Sequence, residues 1–200
     1  MKIAPALLLA AFVLAACKRQ EPFEILEAPP QPGLQKYWQV PSFTLTERSG
    51  QPLTRADLAG NVWVADFFYT TCPGPCPMMT SRLVALQERL GTKDDVRLVS
   101  ISLDPAKDTP EVLRQYAERF KAGANWLFCT GDKTAIYELV SKGFKLSAVE
   151  ERNNPEPIIH STKLVLVDRA GWVRGFYEGV GEDQNAKLAA DIDRLRTEQP

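Results

Sequence analysis

Two stretches of this 200-residue chain are too apolar to leave either face in water: NVWVADFFY (Asn61 to Tyr69) and DVRLVSISLD (Asp95 to Asp104). The first is rich in aromatic and β-branched side chains. The second carries Val96, Leu98, Val99, Ile101 and Leu103, and both read as buried, central strands. A strand buried on both faces needs cover above and below, which helices between the strands can supply. The sequence MMTSRLVALQERLG sets Met79, Leu83, Leu86 and Leu90 at helical spacing until Gly91 stops it. DTPEVLRQYAERFK opens a second helix at Pro110, with Thr109 as N-cap and Val112, Leu113, Tyr116, Ala117 and Phe120 as its inner face.

The rest of the chain continues the alternation. SFTLTERSGQPLT reads as two short strands around Ser49-Gly50, WLFCTG as a strand and KTAIYELVSKG as a helix. STKLVLVD and WVRGFYEG alternate clearly on either side of Arg169-Ala170-Gly171, a hairpin. DQNAKLAADIDRLRTEQ closes the chain with Leu188, Ile192 and Leu195 on one helical face. This order predicts an α/β, thioredoxin-like fold over residues 39–200: a mixed central sheet flanked by helices, with an N-terminal β extension and a late β-hairpin. A domain of that length fills a single core.

The N-terminus, MKIAPALLLAAFVLAACKRQ, has one lysine near its start and an apolar run from Ile3 to Ala16 broken only by Pro5. A membrane span needs about 20 apolar residues, so this run reads as a secretory signal. Its end, Leu14-Ala15-Ala16-Cys17, resembles the lipobox of bacterial lipoproteins. The expectation is a signal peptide over residues 1–16, lipidation at Cys17, and a flexible tether over 17–38 containing Pro29, Pro30, Pro32 and Gly33. The domain would then stand in the bacterial cell envelope, anchored to a membrane surface by lipid. Charge excludes one class of partner: 24 Lys and Arg against 25 Asp and Glu, with no basic block, leave no footprint for nucleic acid.

Export places the other cysteines, Cys72, Cys76 and Cys129, where disulfides persist. Cys129 follows an apolar run and reads as a buried, inert thiol. Cys72 and Cys76 differ, because TTCPGPCPMM puts one in a strand-to-helix loop and the other at the helix mouth. Two such sulfurs can converge, and the helix N-terminus is expected to favour thiolate over thiol. Three residues, Pro73, Gly74 and Pro75, separate them, where thioredoxin-type exchange enzymes have two. The spacing permits a Cys72–Cys76 disulfide but not the usual exchange geometry. A closed zinc site would need four Cys or His ligands, and few are on offer.

The sole histidine, His160, stands just before the predicted strand STKLVLVD, at the sheet edge expected to carry the cysteine loop. Two thiolates and an imidazole suit Cu(I), and could hold Cu(II) with an added oxygen ligand. Met78 and Met79 read as packing residues rather than further ligands.

The chain resembles the Sco/SenC family of membrane-tethered copper proteins. The resemblance is carried by FFYTTCPGPCPMMTSRL, VSISLDPAKDTPEVLRQYA and IIHSTKLVLVDRAGWVRGFY, which span most of the sequence from about residue 40. It implies copper held by Cys72, Cys76 and His160. It also implies delivery of that copper to the copper-centre subunit of cytochrome c oxidase, or reduction of that subunit's cysteines, with other copper chaperones as further partners. Many members have acidic residues where this chain has Gly74 and Ile159, and Glu156 is the nearby carboxylate that could substitute. Asp104 and Asp108, in SLDPAKDTP, read as turn and helix-cap residues. The alternative function is a thiol-disulfide reductase, which needs the cysteine pair but not His160. FTLTERSGQPLTRADLAGNVWVADFF also resembles peroxiredoxins, a likeness of fold and not of reaction.

Overall fold

The computed structural model of the chain describes residues 33–91, 93–150 and 158–198. The expected signal peptide, the expected lipidation site Cys17 and the tether up to residue 32 lie outside the described residues, as does Glu156.

The two apolar stretches become neighbouring strands at the centre of a seven-stranded sheet. Strand β3 (Val62–Phe68) is buried at every position and pairs in parallel with β4 (Val96–Ser102), where only Arg97 is partly exposed. Beyond β4 lie β5 (Trp126–Thr130), then β1 (Thr44–Glu47) and β2 (Pro52–Thr54). Beyond β3 lie β8 (Lys163–Val167) and β9 (Val173–Glu178). β5 continues the parallel core, whereas β1, β8 and β9 join antiparallel, so the sheet is mixed as expected.

Helices α1 (Cys76–Leu90) and α4 (Asn185–Thr197) pack side by side, burying Leu83, Leu86, Leu188, Ile192 and Leu195. Helix α2 (Pro110–Arg119) begins where Thr109 accepts a hydrogen bond from the Val112 amide, and its Tyr116 ring packs on Phe68 of β3 and Phe128 of β5. On the opposite sheet face, Trp63 and Phe67 meet Phe144 edge-on. Cover on both faces is what allows β3 to be apolar at every position but Asp66.

The expected helix over KTAIYELVSKG is present along its whole length but changes type midway. α3 (Lys133–Glu138) widens into a π-helical segment, Leu139–Gly143, in which the Phe144 amide reaches the Leu139 carbonyl at 2.9 Å. The widened turn carries Phe144 into the core beneath β3. Gly143 makes the approach possible: a Cβ there would lie 2.8 Å from Leu139 Cδ1 and 3.1 Å from Pro41 Cδ.

Residues 34–38, assigned by composition to the tether, are bonded onto the domain. The Tyr37 amide donates to the Val173 carbonyl at 3.0 Å, and Trp38 Nε1 donates to the Gly143 carbonyl at 2.7 Å. Arg174, almost wholly buried, donates to the carbonyls of Leu34 and Gln35 while pairing with Asp168 and Glu198. A buried guanidinium needs such partners, and here they fix the point at which the chain enters the domain.

Ile101, fully buried in β4, tests how closely this centre is packed. Ile101→Ala should destabilise the domain by about 2–5 kcal/mol without changing the denaturant slope, as read by urea unfolding.

Candidate metal centre

β3 ends at Phe68, and the chain then turns tightly, with the Cys72 amide donating to the Tyr69 carbonyl at 3.2 Å. Pro73, Gly74 and Pro75 carry the backbone to the first turn of α1, where the Met78 and Met79 amides both donate to the Pro75 carbonyl at 3.1 Å. Pro75 is the N-cap residue and has no side-chain group to cap with; Pro77 follows Cys76 in the first turn, where its fixed φ suits the helix. Cys72 and Cys76 are both buried, at 8% and 1% exposure.

The histidine arrives from a separate two-stranded ribbon, β6 (Ala148–Glu150) with β7 (Ile158–His160), in which His160 pairs with Ala148. The ribbon's end is held by the Ser161 amide, which donates to the Ser147 carbonyl at 2.9 Å. Just beyond, the Gly179 amide donates to the Thr162 carbonyl at 2.8 Å. The two backbones approach so closely that a Cβ on residue 179 would lie 2.3 Å from that oxygen and 3.1 Å from Met79 Cγ.

Together these elements bring Cys72 Sγ, Cys76 Sγ and a His160 ring nitrogen within 4.8 Å of one another. Cys76 Sγ stands 3.4 Å from His160 Nε2. His160 Nδ1 lies 2.9 Å from the Ser161 carbonyl, which can only accept, so in the neutral ring Nδ1 carries the hydrogen and Nε2 turns its lone pair towards the sulfur. That is the orientation a metal-ligating imidazole needs. The Tyr69 ring packs edge-on against the imidazole, with centroids 6.0 Å apart.

The thiol of Cys76 departs from expectation. Burial pushes the Cys76 thiol well above the ordinary thiol range, and the hydrogen bond it shares with Cys72 pushes the same way, as do the charges of Cys72 and Asp66; a backbone hydrogen bond opposes them. The helix mouth therefore does not yield a thiolate: desolvation outweighs the dipole at so buried a position. All three cysteines among the described residues are free thiols. Cys129 is wholly buried in β5 with its thiol raised chiefly by burial, the inert state expected of it, and it is not part of the three-residue cluster.

Of the two methionines, Met79 packs in the core as expected, whereas Met78 is 54% exposed. Adjacent helical residues point about 100° apart, so the pair cannot share one face. Asp104 has the turn role expected of it, accepting from the Lys107 and Asp108 amides through its carbonyl. Asp108 does not cap the helix. Its carboxylate is fully buried and accepts from the Thr70 amide at 3.0 Å, the Thr70 hydroxyl and the Ser102 hydroxyl.

Asp66, also buried, sits in β3 and accepts from the Ser100 hydroxyl, which in turn accepts from Trp126 Nε1 at 2.9 Å. Burial pushes its carboxyl up to about 7 against the opposing Ser100 bond. The sequence marks Asp66 only as the one charged residue in an otherwise apolar strand.

Fold and site together define a class: thioredoxin-like domains that present two thiols from a strand-to-helix loop to an imidazole on a neighbouring ribbon. The SCO1/SenC family model matches residues 32–197. The chain belongs to the SCO1/SenC family. Among solved structures, it is similar to a SCO1/SenC family lipoprotein from Bacillus anthracis str. Ames, at 33% identity and a TM-score of 0.74, covering 79% of this chain and 95% of that one. It is also similar to BsSco, described as a member of the Sco family of cytochrome c oxidase assembly proteins in which a disulfide switch was identified. That match has 31% identity and a TM-score of 0.74, over 84% and 99% of the two chains. A third similar structure is Bradyrhizobium japonicum ScoI with copper bound, at 25% identity and a TM-score of 0.68, over 79% and 99%.

Asp66 gives the site's surroundings a pH signature. Its carboxyl titrates near 7 when folded and near about 4 when unfolded, so the stability it contributes is complete below about pH 4 and is lost as pH rises through 7. Asp66→Asn cannot ionise. Its stability relative to the parent chain should therefore climb by up to about 1.4 kcal/mol per pH unit between about pH 4 and 7 and then level off, as measured by urea unfolding across that range.

Proposed function

We propose that this chain is a membrane-anchored copper metallochaperone, in which Cys72, Cys76 and His160 hold a copper ion as cargo. It passes that ion to the copper-centre subunit of cytochrome c oxidase or keeps the subunit's cysteines reduced to receive it. The observation that carries the reading is the convergence of the three donor atoms within 4.8 Å. Two sulfurs and a borderline nitrogen form a donor set selective for Cu(I) over hard divalent ions, which prefer oxygen. Because the Cys76 thiol is protonated in the free site, loading releases a proton and the cation replaces it. A donor set of three is low in coordination number, which leaves room for a partner's thiolate to join before one of these ligands departs. The copper-bound state of a 25% identical relative and the oxidase-assembly role ascribed to a 31% identical one favour the same reading.

Anchoring through a lipid on Cys17 is supported by the Leu14-Ala15-Ala16-Cys17 sequence and by the lipoprotein nature ascribed to a relative. Among the described residues, no helix is long and apolar enough to cross a membrane.

One observation favours a second reading, a thiol-disulfide reductase. Cys72 and Cys76 are free thiols within reach of each other, and the similar BsSco has a disulfide switch. In that reaction a client disulfide would be reduced to two thiols as Cys72 and Cys76 give up two protons and two electrons to form a disulfide.

Copper titration separates the readings. The full chain carrying Cys17→Ser, kept reduced and challenged with a competing Cu(I) chelator, should bind one Cu(I). Cys72→Ser and Cys76→Ser should each abolish that binding, and His160→Ala should weaken it at least about tenfold. If His160→Ala binds as tightly as its parent while disulfide exchange is fast, the chain is a reductase and the metallochaperone reading fails.

A further inference from the structure

The buried carboxylate of Asp108 lies in the loop between β4 and α2, and none of its hydrogen bonds goes to Cys72, Cys76 or His160. Two of them go to a single residue, Thr70, through its amide and its hydroxyl. Thr70 forms the corner of the turn closed by the bond from the Cys72 amide to the Tyr69 carbonyl, so whatever holds Thr70 sets where Cys72 emerges. Asp108 is itself held: its amide donates to the Asp104 carbonyl at 2.8 Å, and the next residue caps α2. Ser102, at the end of the central strand β4, supplies the third hydrogen bond and ties the carboxylate to the core.

The three groups facing Asp108 are all donors in these bonds: an amide N–H and two hydroxyls. Both oxygens of the carboxyl group accept in these bonds, and each facing donor meets an acceptor. An asparagine in its place keeps only one acceptor oxygen, so one of the facing hydroxyls would have to turn from donor to acceptor. With its hydrogen bonds made, the buried group is a fixed anchor for the residues that donate to it.

We propose that Asp108 is a positioning residue for Cys72, acting through Thr70 to set the placement of that sulfur relative to Cys76 and His160. The proposal deepens the reading of these three residues as the functional set and rests on it. It assigns to the loop between β4 and α2 a part in ligand geometry, in addition to its part in starting a helix.

The test uses the full chain with Cys17→Ser, compared with the same chain carrying Asp108→Asn or Thr70→Val. Three quantities are read: Cu(I) affinity by chelator competition, thermal unfolding, and the equilibrium of the cysteine pair with glutathione. In that equilibrium the Cys72 and Cys76 thiols and one glutathione disulfide exchange to give the Cys72–Cys76 disulfide and two glutathione thiols. Asp108→Asn should weaken Cu(I) binding roughly 10- to 100-fold. It should also shift the glutathione equilibrium towards the protein disulfide by about tenfold, which is about 30 mV for a two-electron couple, because the turn no longer holds Cys72 in its dithiol placement. Thr70→Val, which removes the hydroxyl bond and keeps the amide bond, should move both quantities the same way by less. If Asp108→Asn does not fold, Thr70→Val alone decides. Variants that melt earlier but keep both copper affinity and the glutathione equilibrium within about twofold of the parent would reduce Asp108 to a structural brace and overturn the proposal. A parent chain that binds no copper would refute the metallochaperone reading instead, and the glutathione equilibrium, which needs no copper, would still decide the role of Asp108.

Discussion

The contact between Cys76 Sγ and His160 Nε2, 3.4 Å long, joins residues 84 positions apart and exists only because the sheet and its attached ribbon agree in placement. On one side, β3 must end where it does, so that the turn at Tyr69–Cys72 and the proline-bounded loop deliver the sulfurs to the mouth of α1. On the other, β7 must stop at His160, held to β6 and locked by the approach of Gly179 to Thr162. The apolar pair β3 and β4 is the reference for both: one strand leads into the cysteine loop, and the other leads into the Asp108 loop that grips Thr70. Burial of the core thus sets the reach of the site.

The same burial governs its charge. Withdrawing Cys76 from water favours its neutral form over the helix dipole's preference for the anion, so the free site presents a protonated thiol and, in its neutral form, an imidazole. Around it the protein places carboxylates that do not coordinate: Asp66 beneath, bonded to Ser100, and Asp108 beside, bonded to Thr70 and Ser102. Among the described residues, the ligating cluster contains no carboxylate. Two sulfurs and a nitrogen make it a soft site, and a soft cation gains more from it than a hard one.

Much of this was legible in the primary structure. The central strands could be read because they are apolar without alternation, the start of α2 because Thr109 and Pro110 form a cap, and the last helix because Leu188, Ile192 and Leu195 share a face. The cysteine pair and the single histidine stood out by chemistry and scarcity. What could not be read depended on three-dimensional neighbours. Leu139–Gly143 widens into a π-helical turn because Phe144 has a place to fill between Trp63 and Phe67, which no local spacing records. Residues 34–38 look like tether by composition, yet Arg174, 140 positions away, fixes them to the domain. Asp108 looks like any polar loop residue before a helix, and only the position of Thr70 shows where its carboxylate points. The thiol's protonation was misread for a like reason: sequence shows the helix mouth but not the depth of burial.

The ribbon β6–β7 stands apart from the seven-stranded sheet in strand pairing. The thiols follow a strand of the central sheet, and the imidazole sits on a ribbon that, among the described residues, shares no ladder pairs with it. The three candidate ligands are thus held by two separately paired sets of strands, and a substitution that loosens one ladder need not loosen the other.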